Sequence, residues 1–149
     1  MRVERADACP ATELLAAFRE EIDSLYGPLD DSRWPSAEPA ELTPPGGILL
    51  VIYSGGQAVA CGGVKRLTPG VGEIKRMYVT PRARGAGVAR RLLEQLEEAA
   101  RGALGYTHVR LDTGPRQPHA RSLYESAGYH EIPDYNNNAY ANVWFEKML

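Results

Sequence analysis

The feature that most constrains this fold is a junction in the middle of the chain. The run Glu73-Ile74-Lys75-Arg76-Met77-Tyr78-Val79 stops at Thr80-Pro81 and passes through Arg82-Ala83-Arg84-Gly85-Ala86-Gly87 into an amphipathic stretch over about 86–101. There Val88, Leu92, Leu96, Ala99 and Ala103 form an apolar stripe, widened by Ala89, Leu93 and Ala100. Arg90, Arg91, Glu94, Gln95, Glu97, Glu98 and Arg101 take the other side, and Gly102 and Gly105 end the segment. A strand that turns through glycines into a helix presents free backbone N–H groups at the positive end of the helix dipole, which is an anion site. Gly85 and Gly87 allow close backbone approach there. Tyr106–Asp112 reads as the next strand, so the unit is a βαβ crossover.

The flanking segments place that unit. Met1–Arg5 alternates weakly as a short strand, and Thr12–Tyr26 is helical, with Leu14, Leu15, Phe18, Ile22 and Leu25 on one face and Thr12 as its cap. Gly27–Gly47, rich in proline and acid, reads as a long loop with a helical turn, functional or mobile. Ile48–Tyr53 and Ala58–Leu67 form a hairpin about Ser54-Gly55-Gly56-Gln57, and Pro69-Gly70 turns the chain into Gly72–Val79. Pro118–Ala127 is a short helix with Ala120, Leu123, Tyr124 and Ala127 on one face, and Asn142–Met148 is a final strand. The order predicts an α/β domain of the mixed α+β kind, with a central, mostly antiparallel sheet interrupted by the crossover.

At 149 residues the chain fits one domain spanning 1–149, large enough to bury a core without disulfides. No apolar run approaches the roughly 20 residues of a membrane span, and the first residues lack a signal-peptide core. Cys9 and Cys61 are far apart, without a CxxC or a flanking histidine, which argues against a disulfide framework and a zinc site and suits a reducing cytoplasm. The net charge of −2 hides an asymmetry, with ten acidic and four basic side chains in residues 1–50. Arg82, Arg84, Arg90 and Arg91 cluster at the glycine loop, too small a patch in an acidic chain for a nucleic-acid surface.

Which anion sits at the loop is open on the residues alone. A Walker loop lacks its Lys-Ser/Thr, and a dinucleotide fingerprint would need glycine where Arg90 stands, within a first βα turn. A tight turn without ligand also satisfies the pattern. However, Arg82-x-x-Gly85-x-Gly87 resembles the [Gln/Arg]-x-x-Gly-x-[Gly/Ala] signature of the GNAT N-acetyltransferase superfamily. The run Glu73–Val79 is similar to that family's fourth strand, and Ala120-Arg121-Ser122-Leu123-Tyr124-Glu125-Ser126-Ala127-Gly128-Tyr129 resembles its A-x-x-L-Y-x-x-x-G-[FY] segment. The two pieces keep their order and spacing over about residues 72–130.

The resemblance implies an acyl-CoA-binding crossover and acetyl-CoA as co-substrate, with no metal. The amides from Arg84 through Gly85, Ala86, Gly87 and Val88 to Ala89 would hold the pyrophosphate, with Arg82 and Arg90 in the same binding set. Main-chain groups of Met77, Tyr78 and Val79 would pair with the pantetheine arm like an added strand, and the Val79 amide would meet the thioester oxygen. Gln117 stands where members often carry a pantetheine-contacting Asn. Direct attack by a neutral amine needs a polarised carbonyl and a protonated leaving thiolate, not a covalent nucleophile. Tyr124 is the candidate general acid and, alternatively, a core tyrosine. Glu73 is the candidate base, directly or through water, and, alternatively, a partner of Lys75.

The acceptor is read from charge. Glu20, Glu21, Asp23, Asp30 and Asp31 predict attraction of a cationic amine, giving a small-molecule N-acetyltransferase of amino-acid or polyamine type. A protein acetyltransferase acting on lysine or an α-amine, and a non-catalytic acyl-CoA sensor, are the alternatives. His108, His119 and His130 lack ligand spacing, and the loop Asp134–Asn138 with Tyr140 either borders the acceptor site or is a plain turn. Members of the family often form homodimers through their C-terminal strands.

Overall fold

The apolar run Ile48–Ile52 sets the layering, because a strand with no polar face must be covered on both sides. Ile48, Leu50 and Ile52 enter one core with Leu92, Leu93, Leu96 and Ala100, while Leu49 and Val51 enter a second with Leu14, Leu15, Phe18 and Ile22. The computed structural model describes all 149 residues. Strands β1 (Arg2–Val3), β2 (Ile48–Ser54), β3 (Gln57–Thr68), β4 (Val71–Val79), β5 (His108–Thr113), β6 (His130–Ile132) and β7 (Val143–Met148) form one sheet in the order β1-β2-β3-β4-β5-β7-β6. Helix α1 (Ala11–Tyr26) packs on one face, and α2 (Val88–Gly102) and α3 (Pro118–Ser126) supply side chains to the core on the other. Only β4 and β5 run parallel, joined through α2; every other neighbouring pair is antiparallel.

Two features of β4 shape the site. Pairing with β3 jumps from Cys61↔Tyr78 to Gly63↔Lys75, so Arg76 and Met77 share one place in the ladder and Arg76 takes φ +57°. On its other edge β4 pairs with β5 only through Val71, Gly72 and Glu73. Beyond Glu73↔Arg110 the two strands part, leaving a wedge bounded by Ile74–Val79 and the end of β5.

Several boundaries differ from expectation. Helix α1 begins at Ala11 after Pro10 with no side-chain cap, so Thr12 lies inside the first turn and is not its cap. Helix α2 begins at Val88, because Gly87 at φ +73° is left-handed and the helix cannot start before it. Its buried residues Leu92, Leu93, Leu96 and Ala100 all belong to the expected stripe, with Val88 and Ala99 partly buried beside them, but Ala103 lies past the end, exposed. Strand β6 was not legible: its three residues are exposed or half-buried and follow no apolar alternation. Residues 27–47 are more built than a loop, with 3₁₀ turns at Asp31–Arg33 and Pro39–Leu42 and with Leu29, Ala37 and Leu42 buried under α1's side of the sheet.

Candidate active site

The glycine loop follows from its backbone. Gly85 and Gly87 take φ of +79° and +73°, a region costly for a residue with a Cβ, and open space lies in front of both. The first helical bond runs from Arg91 N to Gly87 O. The amides of Gly85, Ala86, Gly87, Val88, Ala89 and Arg90 donate to no protein acceptor, whereas the Arg84 amide is directed at Pro81 O. Six consecutive free donors at a helix start fit a polyanion.

Of the clustered arginines, two are spent on the fold. Arg84 donates to Val79 O (2.9 Å), pairs with Glu21 (2.6 Å) and lies over the Tyr78 ring, which ties the loop to α1 and β4. Arg90 reaches Ser126 and so joins the start of α2 to the end of α3. Arg82 and Arg91 are exposed.

Three hollows adjoin the wedge. A crevice of about 710 Å³ runs along the loop and is lined by Val79, Arg84, Gly85, Gly87, Val88, Ala89, Gln117 and neighbours. A smaller cavity of about 80 Å³ lies on the α1 side, between the aromatic rings of Phe18, Tyr26, Trp34 and Tyr140 and the polar groups Lys75, Arg76, Asp112 and Asn138; Met77 and Tyr124 complete it. Gln117 lines both, so the two meet at the start of α3. A third hollow, of about 450 Å³, shares Trp34, Ser36 and Arg76 with the cavity and carries Arg19, Asp31 and Glu38. The hollows therefore follow one another across the molecule, the cavity in the middle.

Gln117 and Tyr26 hold the junction. Tyr26 Oη donates to Gln117 Oε1 (3.4 Å) and accepts from Arg116 N (3.2 Å), and Gln117 Oε1 also faces Gly114 N (3.4 Å). Gly114 has no room for more: an added Cβ would stand 2.1 Å from Tyr26 Oη.

Tyr124 is buried, with its ring against Tyr129 and Phe145 and its hydroxyl 3.9 Å from Met77 Sδ. Burial, helped by the charge of Asp112, raises its pKa above the ordinary tyrosine value, so the hydroxyl keeps its proton. Tyr124 is thus a core residue that also borders the cavity.

Glu73 is placed differently. It is 1% exposed, lines none of the three hollows, and pairs with Lys75 Nζ at 3.1 Å. Lys75 also reaches Asp112 (3.3 Å), bridging the wedge from β4 to β5. Tyr135 stacks under Arg110, and its hydroxyl pKa is raised by burial and by the charges of Glu73 and Asp112. Asn136 donates to Asp112 (2.5 Å) and accepts from Trp144 Nε1 (2.9 Å). The loop Asp134–Asn138 is thus the outer wall of this charged row, and Asn138 and Tyr140 reach the cavity itself. The alternative reading of Glu73 as a partner of Lys75 is what the structure shows, and Tyr140 does border the cavity. Sequence reading missed Arg76, Asp112 and the rings of Phe18, Tyr26 and Trp34 as site residues; the one signal was two adjacent cations within an otherwise apolar strand.

The acidic side chains of residues 1–50 do not line the cavity. Asp23 and Asp31 pair with Arg19, Glu21 with Arg84, and Asp30 accepts from Ser32. Glu20 is exposed, and none of the five lines the cavity. Arg19 and Arg84 offset two of the five charges, Glu21 borders the crevice and Asp31 the third hollow, so these acids surround the approach to the cavity without touching its interior. Cys61 is buried and its thiol pushed up to about 12, so it is no nucleophile. His119 borders the crevice, and no three His, Cys, Asp or Glu side chains are grouped to hold a metal. No helix is long and apolar enough to cross a membrane.

The acetyltransferase (GNAT) family profile matches residues 12–129. An IAA acetyltransferase of Azospirillum brasilense is 35% identical over 130 residues, 80% of this chain and 79% of that protein. An N-alpha-acetyltransferase RimI of Mycobacterium tuberculosis is 35% identical over 131 residues, 86% of this chain and 75% of that one. The crystal structure of a GNAT family acetyltransferase from Elizabethkingia anophelis with acetyl-CoA bound superposes with a TM-score of 0.68 at 16% identity, covering 99% and 96% of the two chains.

Proposed function

Since the chain belongs to the acetyltransferase (GNAT) family, we propose that this N-acetyltransferase acts on the primary amine of a small molecule, with Tyr124 as general acid. The observation that carries the reading is the meeting of the crevice and the cavity at Gln117, with Tyr124 on the cavity wall. The free amides of Gly85 to Arg90 fit the pyrophosphate of acetyl-CoA, and Arg82 stands exposed beside them. The β5-facing edge of Met77, Tyr78 and Val79, unpaired because β4 and β5 part, fits the pantetheine arm. Gln117 lies where that arm would enter the cavity.

Acetyl-CoA supplies the acetyl thioester: the amine nitrogen bonds to its carbonyl carbon as the carbon–sulfur bond breaks, and the proton lost by nitrogen equals the one gained by sulfur. Tyr124 gives that proton, since its raised pKa keeps it protonated at neutral pH. Glu73 acts through Lys75 rather than on the amine. It fixes the Lys75 ammonium, which in turn fixes Asp112, the carboxylate of the row that does border the cavity. Asp112 is the group placed to take the amine proton.

The second reading, acetylation of a protein α-amine, is favoured by the name of the mycobacterial relative. The aromatic walls of the cavity and the charged groups at its two ends, Arg76 and Asp112, favour a free small molecule over a polypeptide end. The test is thiol release from acetyl-CoA against a panel of amines and peptides. Release with small amines is expected. Turnover confined to peptides would favour the second reading, and absence of acetyl-CoA binding by calorimetry would overturn both.

A further inference from the structure

One group in the cavity has no protein partner that accounts for it. Arg76 stands at the β4 bulge with φ +57°, a backbone conformation rare outside glycine, which marks the position as one where a side chain is deliberately aimed. Its Nη2 donates to Ser36 Oγ (2.9 Å), yet its Nε is buried with no acceptor. Burial pulls its pKa down, while Glu38 and Glu41 act on it only through space. Neither acid forms an ion pair with it, although Glu38 stands exposed in the same outer hollow. Glu41 holds Lys65 (3.0 Å) and the Glu38 amide, and the Glu38 side chain caps the turn Pro39–Leu42. A half-buried guanidinium without a carboxylate is costly unless a ligand completes it.

The other cation of the cavity is already matched. Lys75 lies between Glu73 and Asp112, two carboxylates to one ammonium, so that end of the cavity is negative. The cavity is thus polarised, with an unmatched cation at Arg76, towards the outer hollow, and an excess of negative charge at Asp112, beside Tyr124. Between them stand Phe18, Trp34, Tyr26 and Tyr140, with Arg19 over the Trp34 ring at 5.3 Å.

We propose that the acceptor is a carboxylate-bearing amine of amino-acid type, its carboxylate held by Arg76 and Ser36 and its amine directed to Asp112 and Tyr124. This rests on the N-acetyltransferase reading and names its substrate class. Arg76 is a specificity residue here: its planar fork binds a carboxylate with direction, whereas a decarboxylated amine leaves it unpaired. The charge pattern also orients the substrate, because the reverse placement would set carboxylate against Asp112.

The experiment measures thiol release with saturating acetyl-CoA for matched pairs: alanine and ethylamine, leucine and isopentylamine, phenylalanine and phenethylamine, with the amino-acid amides as a third arm. For at least one pair, kcat/KM is expected to be about 100-fold higher for the acid than for its amine or amide. In Arg76→Met the KM for that acid rises about 100-fold with kcat changed by less than about threefold, and the discrimination within the pair collapses. Arg76→Lys recovers part of it. Equal or better turnover of the amines, the amides or an N-terminal peptide overturns the proposal while leaving acetyl transfer standing. No release from any amine, with acetyl-CoA binding intact by calorimetry, overturns the acetyl-transfer reading and this proposal with it. Should Arg76→Met fail to fold, the wild-type panel decides alone.

Discussion

Tyr124 packs in the core and borders the cavity at once, which is what lets the proposed acid role be separated from its packing. Its ring fills the space between Tyr129 and Phe145, at centroid distances of 5.7 and 5.9 Å, and only its hydroxyl reaches towards the cavity. Tyr124→Phe keeps the ring, so stability is expected to hold while kcat falls by about 10²- to 10⁴-fold; equal thermal midpoints and stopped-assay rates check both halves. The sign of its pKa shift gives a pH expectation as well. A general acid works in its protonated form, and burial carries the folded-state value above the ordinary tyrosine pKa of about 10. No loss of rate from Tyr124 is therefore expected between about pH 7 and 9, and a fall in kcat there that vanishes in Tyr124→Phe would contradict the assignment. Gly114 makes a complementary point, since Gly114→Ala would drive a methyl group into Tyr26 Oη, 2.1 Å away, and disturb the junction at Gln117.

The crossover and the seam beside it carry the function of the elements. Helix α2 starts where Gly87 leaves the left-handed region, and the amides it leaves unpaired are the donors proposed for the pyrophosphate. Gly87→Ala is expected to cost about 1–2 kcal/mol in urea unfolding and to weaken acetyl-CoA at least about tenfold by calorimetry, the worth of one charge-assisted hydrogen bond. Beside it, β4 and β5 are zipped by hydrogen bonds up to Glu73 and by the Glu73–Lys75–Asp112 row beyond. Removing the shared cation leaves two buried carboxylates facing each other, so Lys75→Met is expected to destabilise by about 3–5 kcal/mol. Adding Glu73→Gln should return part of that loss. Equal stability of single and double variants would show that the row is not coupled.

At the scale of the whole molecule the acidic excess of residues 1–50 lies outside the cavity, where Arg19 and Arg84 offset part of it. The charges that line the cavity itself come from β4 and β5. Replacing Asp30 and Asp31 with asparagine is accordingly expected to change kcat/KM by less than about twofold. A drop of tenfold or more would restore the steering role that the sequence suggested. What the sequence determined alone was local: the strand-to-glycine-to-helix junction, the two-sided burial of Ile48–Ile52 and the crossover order, each written in periodicity or in the φ angles only glycine tolerates. Strand β6 and the role of residues 27–47 depended on neighbours far along the chain. So did the cavity, because Arg76 is only another cation in a strand until the bulge aims it and Ser36, forty residues away, meets it. Periodicity reports which face a residue takes, while the balance of buried charge is settled only when distant segments are brought into contact.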